Sequence, residues 1–283
     1  MPDGQPREMI TTVLDGFKQL APEGCEVAYS RGANIIDLVD DPEGEFYPDG
    51  QPRPKPAVSA KFDQQLLDEA VENARRSDLV VAVVGDVVQL VGETCSTATL
   101  ELLGGQNAML KALADVARET GKPQVMPACV IGTNGVIVDE STADGVSAFM
   151  WAPNPGMKGG QAIAEIILGE TEPSGRLPIT FPRHAGQLPV YYNQIRGQHG
   201  NRYADLTQDP AFAFGEGLGY TTFEYGEPTI TNVPASGTFA TTDTMHVEVA
   251  LTNTGERKGT EGAQFYSGDI VTPYSRADRE PKA

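Results

Sequence analysis

The sequence predicts an α/β domain with a mainly parallel sheet, followed by a shorter segment of β-structure alone. Three observations carry that reading. Residues 62–168 alternate helix-like and strand-like periods, the signature of stacked β–α units. After about residue 170, Pro173, Pro178, Pro182 and Pro189 break any helical repeat. From about residue 225 only a two-residue period remains.

The elements follow in order. Residues 8–20 are expected to form a first helix, so the chain opens on a turn and a helix and lacks a leading strand. The hexapeptide Pro-Asp-Gly-Gln-Pro-Arg occurs at 2–7 and again at 48–53, where Pro presets φ and Gly accepts a positive φ. The flanks of the two copies differ, so they are two similar turns and not a repeat. Between them Asp37, Asp40, Asp41, Glu43, Glu45 and Asp49 make an acidic loop without the regular spacing of a calcium-binding ladder. Residues 62–76 place Leu66, Leu67, Ala70, Val71 and Ala74 on one helical face. The run Leu79 to Gly85 is continuously apolar, as expected of a strand buried on both faces. A helix over 106–119 turns Met109, Leu110, Leu113, Val116 and Ala117 inward. Strands at Gln124–Ile131 and Gly145–Trp151 and a helix over Gly159–Leu168 complete the alternation, with right-handed crossovers. Beyond it, His246 to Thr252 alternates, Asn253-Thr254-Gly255 turns, and Gln264-Phe265-Tyr266 reads as the next strand. These resemble the opening strands of an immunoglobulin-like sandwich, which needs about 100 residues; the β-segment is therefore expected to be incomplete.

Composition narrows the partners. The chain has 283 residues, and 21 Lys and Arg against 39 Asp and Glu give a net charge of −18. Such an excess, without a basic run, repels phosphate backbones and anionic lipid, which disfavours nucleic acid and membrane surfaces and leaves a neutral small ligand. No apolar run approaches the roughly 18 residues of a membrane span. Residues 1–8 carry no basic-then-apolar secretion pattern. Cys25, Cys95 and Cys129 are widely spaced and odd in number, which suits free thiols and favours a cytoplasmic location over a disulfide framework. His184, His199 and His246 have no ligand partner at helical spacing, so no metal is expected.

Chemistry in an open α/β sheet sits at the carboxyl ends of the strands. The connection from Asp86 to Gly105 is long for a strand-to-helix loop. It carries Glu93, a residue type suited to general acid work when partly buried; a plain surface carboxylate remains the alternative at this point. Asp86 reads as a candidate or as a cap. Cys95 has no histidine nearby in sequence. Gly156-Met157-Lys158-Gly159-Gly160 precedes a helix and suits either a phosphate cradle or close packing. Trp151, Tyr191, Tyr192, Tyr203, Phe212 and Phe214 suit sugar stacking or the core.

Four segments together carry a resemblance: SDLVVAVVGD at 77–86, GETCSTATLELLGGQ at 92–106, the run from PNPGMKGGQ through PSGRLPITFPRHAGQLPVYYN at 153–193, and FAFGEGLGYTTFEY at 212–225. The chain resembles the C-terminal part of family-3 glycoside hydrolases of the β-glucosidase and β-xylosidase type. The resemblance implies a layered α/β sandwich with a mainly parallel sheet over 1–223, then an incomplete β-sandwich, fibronectin-III-like, over 224–283. It further implies hydrolysis of a small oligosaccharide or glycoside without a cofactor. Glu93 matches the general acid/base of the family, while the nucleophilic Asp belongs to a (β/α)8 barrel domain, in cis or in trans. Thr97 and Thr99 stand where family members often carry Arg and Asp. Since a retaining glycosidase needs two carboxyl groups about 5 Å apart, the chain alone is expected to be a catalytically incomplete fragment. Arg196, Arg202 and Tyr203, in the polar stretch between Tyr192 and Phe212, are expected at the substrate rim. A homodimer is left open. The competing readings are a non-catalytic carbohydrate-binding or interaction protein on the same fold and, more remotely, a nucleotide-binding domain.

Overall fold

In the computed structural model, which describes residues 6–90, 95–129, 145–193 and 203–266, the first helix begins later than expected. A 3-10 turn at Arg7–Met9 precedes α1, Val13–Leu20. The cause is a capping box: the Thr12 hydroxyl accepts the Asp15 N–H at 3.1 Å, and the Asp15 carboxylate accepts the Thr12 N–H at 3.0 Å. Hydrogen bonds from Thr12, then from Arg7, hold the Asp15 carboxyl down at about 2. Next come β1, Ile36–Leu38, and β2, Ala57–Ser59, paired antiparallel. Helix α2, Gln64–Arg76, starts where the Asp63 carboxylate accepts the N–H groups of Gln65 and Leu66. Its inward face is the expected one, with Ala70 and Ala74 buried and Leu66, Leu67 and Val71 half-buried.

Residues 79–85 form one strand path in two pieces, β3, Val80–Val81, and β4, Val84–Gly85. Helix α3, Gln106–Thr120, then leads to β5, Gln124–Cys129. Both pieces pair in parallel with β5 in a single register, Val80 opposite Gln124 and Val84 opposite Ala128. On the other side of β5 lies β6, Ala148–Trp151, also parallel. Helix α4, Gly159–Ile167, follows. The parallel sheet of an α/β domain is therefore present, with β5 in its middle.

Burial of the 79–85 path corrects one expectation. Ala82 and Val84 are only 4% and 3% exposed, whereas Leu79 and Val83 are 37% and 44% exposed. Ala82 and Val84 join Ala74 of α2 and Met109, Leu110, Leu113 and Val116 of α3 in one core. Among the described residues nothing comparable covers Leu79 and Val83, so within that set the strand is buried on one face. A run of valines reads the same in either case. Burying a side chain such as Leu110 completely contributes about 1.5–3 kcal/mol, and α3 supplies most of that core.

The C-terminal segment holds β7, Phe223–Tyr225, β8, Thr229–Ile230, β9, Val247–Glu248, and β10, Leu251–Asn253. Pairs β7–β10 and β8–β9 are both antiparallel and form a single ribbon. From Tyr225 to Ile230 one strand advances one residue more than its partner does from Val247 to Leu251, the mark of a bulge. The expected strand at Gln264–Tyr266 is absent. Its side chains turn back to the α/β body instead: Tyr266 packs against Tyr192 and Phe214, and the Gln264 amide donates to the Gly215 carbonyl at 3.2 Å.

The ribbon is fastened to the body by two arginines. The Arg176 guanidinium pairs with Glu261 and donates to the Gly217 carbonyl, while the Tyr225 hydroxyl donates to Glu261 at 2.7 Å. Arg257 lies 5.0 Å over the Tyr220 ring and donates to the Gly169 carbonyl at 2.6 Å.

Helices α1 and α4 pack at glycine contacts. A Cβ on Gly16 would strike the Gly160 carbonyl, and one on Gly160 would strike the Thr12 backbone. The glycines at 159–160 thus serve packing, against the entry to α1 and against Pro155. Gly160→Ala should lower the free energy of unfolding by about 1–3 kcal/mol, the usual cost of overpacking, measured by urea denaturation. Gly175→Ala is the reference substitution, since its Cβ would meet nothing within 4 Å and its backbone is not in the left-handed region.

Candidate functional site

The carboxyl edge of the sheet is held by one buried amide. Gln106, the first residue of α3, is 3% exposed. Its Oε1 accepts the Gly85 N–H at 2.9 Å, and its Nε2 donates to the carbonyls of Gly85 at 3.0 Å and Leu103 at 3.1 Å. The two ends of the 86–105 loop are therefore brought together by the side chain that opens α3. Inside the loop, Val88–Leu90 makes a 3-10 turn and Leu90 is buried.

Asp86 stands at the root of this loop. Its Oδ2 is buried and has no hydrogen-bond partner among the described residues, and burial pushes its carboxyl up from the usual range. The Trp151 Nε1, at the carboxyl end of β6, is also buried without a partner among the described residues. The far side of the loop rests on the β1–β2 pair. The Gly104 N–H donates to the Ser59 hydroxyl at 3.0 Å, and the Gly105 N–H to the Asn34 carbonyl at 3.0 Å. The Cys95 thiol lies 4.0 Å from the Ala57 carbonyl. Gly104, with φ at +67°, has no room for a side chain: a Cβ would collide with the Asn34 carbonyl. Beside this junction a cavity of about 270 Å³ is lined by Ala33, Ile36, Val83, Val87 and Met109, with Arg31 among its polar groups.

Of the residues singled out in the sequence, Glu93, Arg196 and Arg202 lie outside the described residues. Tyr203 is described, and its hydroxyl donates to the Gly186 carbonyl at 3.1 Å. That bond belongs to a second junction, where Gln187 Nε2 donates to the Thr207 carbonyl at 2.9 Å and Phe181 bridges Phe212. Of the described residues flanking 194–202, Tyr192 stacks on Phe214 and Tyr203 bonds to Gly186. Trp151, Phe181, Phe212 and Phe149 pack on one another, whereas Tyr191 and Tyr192 remain exposed. His184 Nδ1 accepts the Gly186 N–H at 2.9 Å. Among the described residues no three His, Cys, Asp or Glu side chains gather as metal ligands would. Gln106 and Gln187 went unmarked in the sequence, since a glutamine in a helix or loop carries no positional signal.

A parallel sheet with a long loop clamped at its carboxyl edge defines an α/β module of the kind that displays chemistry on its loops. The chain belongs to glycosyl hydrolase family 3: the model of the glycosyl hydrolase family 3 C-terminal domain matches residues 3–220. It is 32% identical over 287 residues to a periplasmic β-glucosidase of Salmonella typhimurium, covering 96% of this chain and 35% of that protein. With a β-xylosidase of Formosa agariphila it shares 33% identity over 273 residues, 94% of this chain and 32% of that one. Among solved structures, a β-glucosidase involved in saponin metabolism from intestinal bacteria is 70% identical, with a TM-score of 0.91 over 100% of this chain and 39% of that one. A β-glucosidase from Erythrobacter marinus gives a TM-score of 0.70 at 30% identity, over 88% of this chain and 33% of that one. The chain spans about a third of the length of the curated relatives it matches. It is a β-glucosidase- or β-xylosidase-like domain of a hydrolase family.

Two substitutions test the carboxyl edge. Gln106→Leu orphans the buried N–H and C=O of Gly85 and should cost about 1–3 kcal/mol of stability in urea unfolding. For Asp86 the sign follows from its raised pKa: the folded state binds the proton more tightly than the unfolded one. Stability is therefore lost as pH rises from the unfolded value near 3.8 through the folded one. Asp86→Asn should remove that loss, so its melting temperature should exceed the parent's at pH 7 and approach it at pH 3.5.

Proposed function

We propose that this chain is the α/β-sandwich module of a retaining glycosidase acting on small neutral β-glucosides or β-xylosides, with Glu93 as its general acid/base. On this reading residues 1–223 are the sandwich domain and 224–283 the start of a fibronectin-III-like domain. The nucleophilic Asp comes from a barrel domain outside this sequence, and the chain alone does not turn over substrate. The observation that carries the reading is the 86–105 loop: it leaves the carboxyl edge at Asp86, is closed by Gln106, and holds Glu93 within the segment that resembles the acid loop of the family. Family membership over residues 3–220 and the β-glucosidase and β-xylosidase relatives support the substrate class. The net charge of −18 favours neutral over anionic substrates.

The chemistry needs two carboxyl groups on opposite sides of the scissile bond. The barrel Asp attacks the anomeric carbon while Glu93, protonated, gives its proton to the leaving oxygen. Glu93, now ionised, then takes a proton from water as it displaces the Asp. Arg196, Arg202 and Tyr203 are assigned to the substrate rim. Purified chain should release no nitrophenol from 4-nitrophenyl β-glucoside. Supplying a family barrel domain by fusion should restore release, and Glu93→Gln in the fusion should lower kcat/KM for a poor leaving group about 10²–10⁴-fold. Turnover by the isolated chain, or an unimpaired Glu93→Gln fusion, refutes the assignment.

A further inference from the structure

Between β1 and β2 the chain runs out and back as an ordered arm, and its second Pro-Asp-Gly-Gln-Pro-Arg copy forms the tip. The ladder continues past the strands: the Val39 N–H donates to the Pro56 carbonyl at 3.0 Å, and Lys55 pairs with Asp40 at 2.8 Å. Further out, the Arg53 N–H donates to the Glu45 carbonyl at 2.8 Å, and the Tyr47 N–H to the Gln51 carbonyl at 2.8 Å. Gly50, with φ at +84°, makes the turn and donates to the Tyr47 carbonyl at 2.9 Å. Arg53 locks the tip. Its guanidinium is 2.7 Å from Glu43, lies 4.4 Å over the Tyr47 ring, and donates to the Phe46 carbonyl at 3.3 Å. The Arg53 side chain is only 16% exposed, yet Phe46 and Tyr47 remain 59% and 41% exposed.

An arm that spends this many bonds on presenting two aromatic rings to solvent is built for contact. Its rings are already ordered, so a ligand that covers them costs little further conformational entropy. The arm's surroundings select the ligand. Asp40, Asp41, Glu43, Glu45 and Asp49 exclude anionic partners, and carboxylates accept hydroxyl hydrogen bonds. An aromatic ring offers an apolar face to match the C–H face of a pyranose. At its base the arm grips the loop that carries Glu93, through Ser59 to Gly104 and Ala57 to Cys95.

We infer that the β1–β2 arm is a carbohydrate-contacting element, with Phe46 and Tyr47 as the stacking platform for the neutral glycoside of the proposed reaction. This rests on that reading and deepens it by giving the substrate a second contact besides the acid. The test is binding, without turnover. The isolated chain is titrated with cellobiose and with 4-nitrophenyl β-glucoside by saturation-transfer NMR, beside the variant Phe46→Ala/Tyr47→Ala and the control Phe265→Ala, an exposed aromatic beyond the ribbon. The double variant should weaken binding at least tenfold with an unchanged circular dichroism melt, while the control keeps the parent's affinity. Undiminished binding by the double variant, no saturable binding by the parent chain, or a variant that changes only the sedimenting mass overturns the inference. Because the readout is binding and Glu93 is left unchanged in every variant, loss of this platform and loss of the acid assignment are read separately.

Discussion

The buried amide of Gln106 is the interaction on which the rest of this architecture depends. Three hydrogen bonds of 2.9–3.1 Å tie the first residue of α3 to both polar groups of Gly85 and to Leu103. The end of the β4 strand and the start of the core helix then become one rigid corner. Closing a loop of this length in a flexible chain carries an entropic cost that grows with its length, and here a side chain inside the core meets that cost during folding. The loop is consequently presented by a fixed base.

A second layer of constraint runs outward from that corner. Gly105 donates to Asn34 and Gly104 to Ser59, so the β1–β2 arm is continuous with the loop base. In a chain so poor in cations, several of the arginines serve as internal fasteners. Arg53 closes the arm, Arg176 and Arg257 hold the ribbon, and Arg183 donates to the Asp209 carbonyl. The acidic surplus is left for the surface. That division leaves a net negative surface, which disfavours anionic ligands.

The ribbon formed by β7–β10 is exposed on nearly every residue. A two-stranded ribbon is marginal by itself, and here its stability derives from the body: the Arg176–Glu261–Tyr225 chain is partly buried, and loss of one partner would leave a charge unpaired in a poorly solvated place. Tyr266, packed tilted against Tyr192 and edge-on against Phe214, continues the same attachment.

The sequence by itself determined what depends on local periodicity and on short specific motifs. The inward face of α2, the buried stripe of α3, the parallel character of the sheet and the change to β-structure from about residue 225 were all legible, because helix and strand repeats follow from neighbours in the chain. So was the family, through the Pro-Ser-Gly-Arg-Leu-Pro run and the loop around Glu93. Tertiary structure decided what depends on partners far away in sequence. Whether Val83 is covered is set by what packs over it, and a valine run is silent on that. The fate of Gln264–Tyr266 was set by Tyr192 and Phe214, more than fifty residues upstream. The role of Gln106 rests on meeting Gly85 across the loop, and the acidic stretch 40–53 becomes an arm only because Arg53 folds back on Glu43 and Tyr47. Periodicity names the face a residue occupies; only packing names what it meets there.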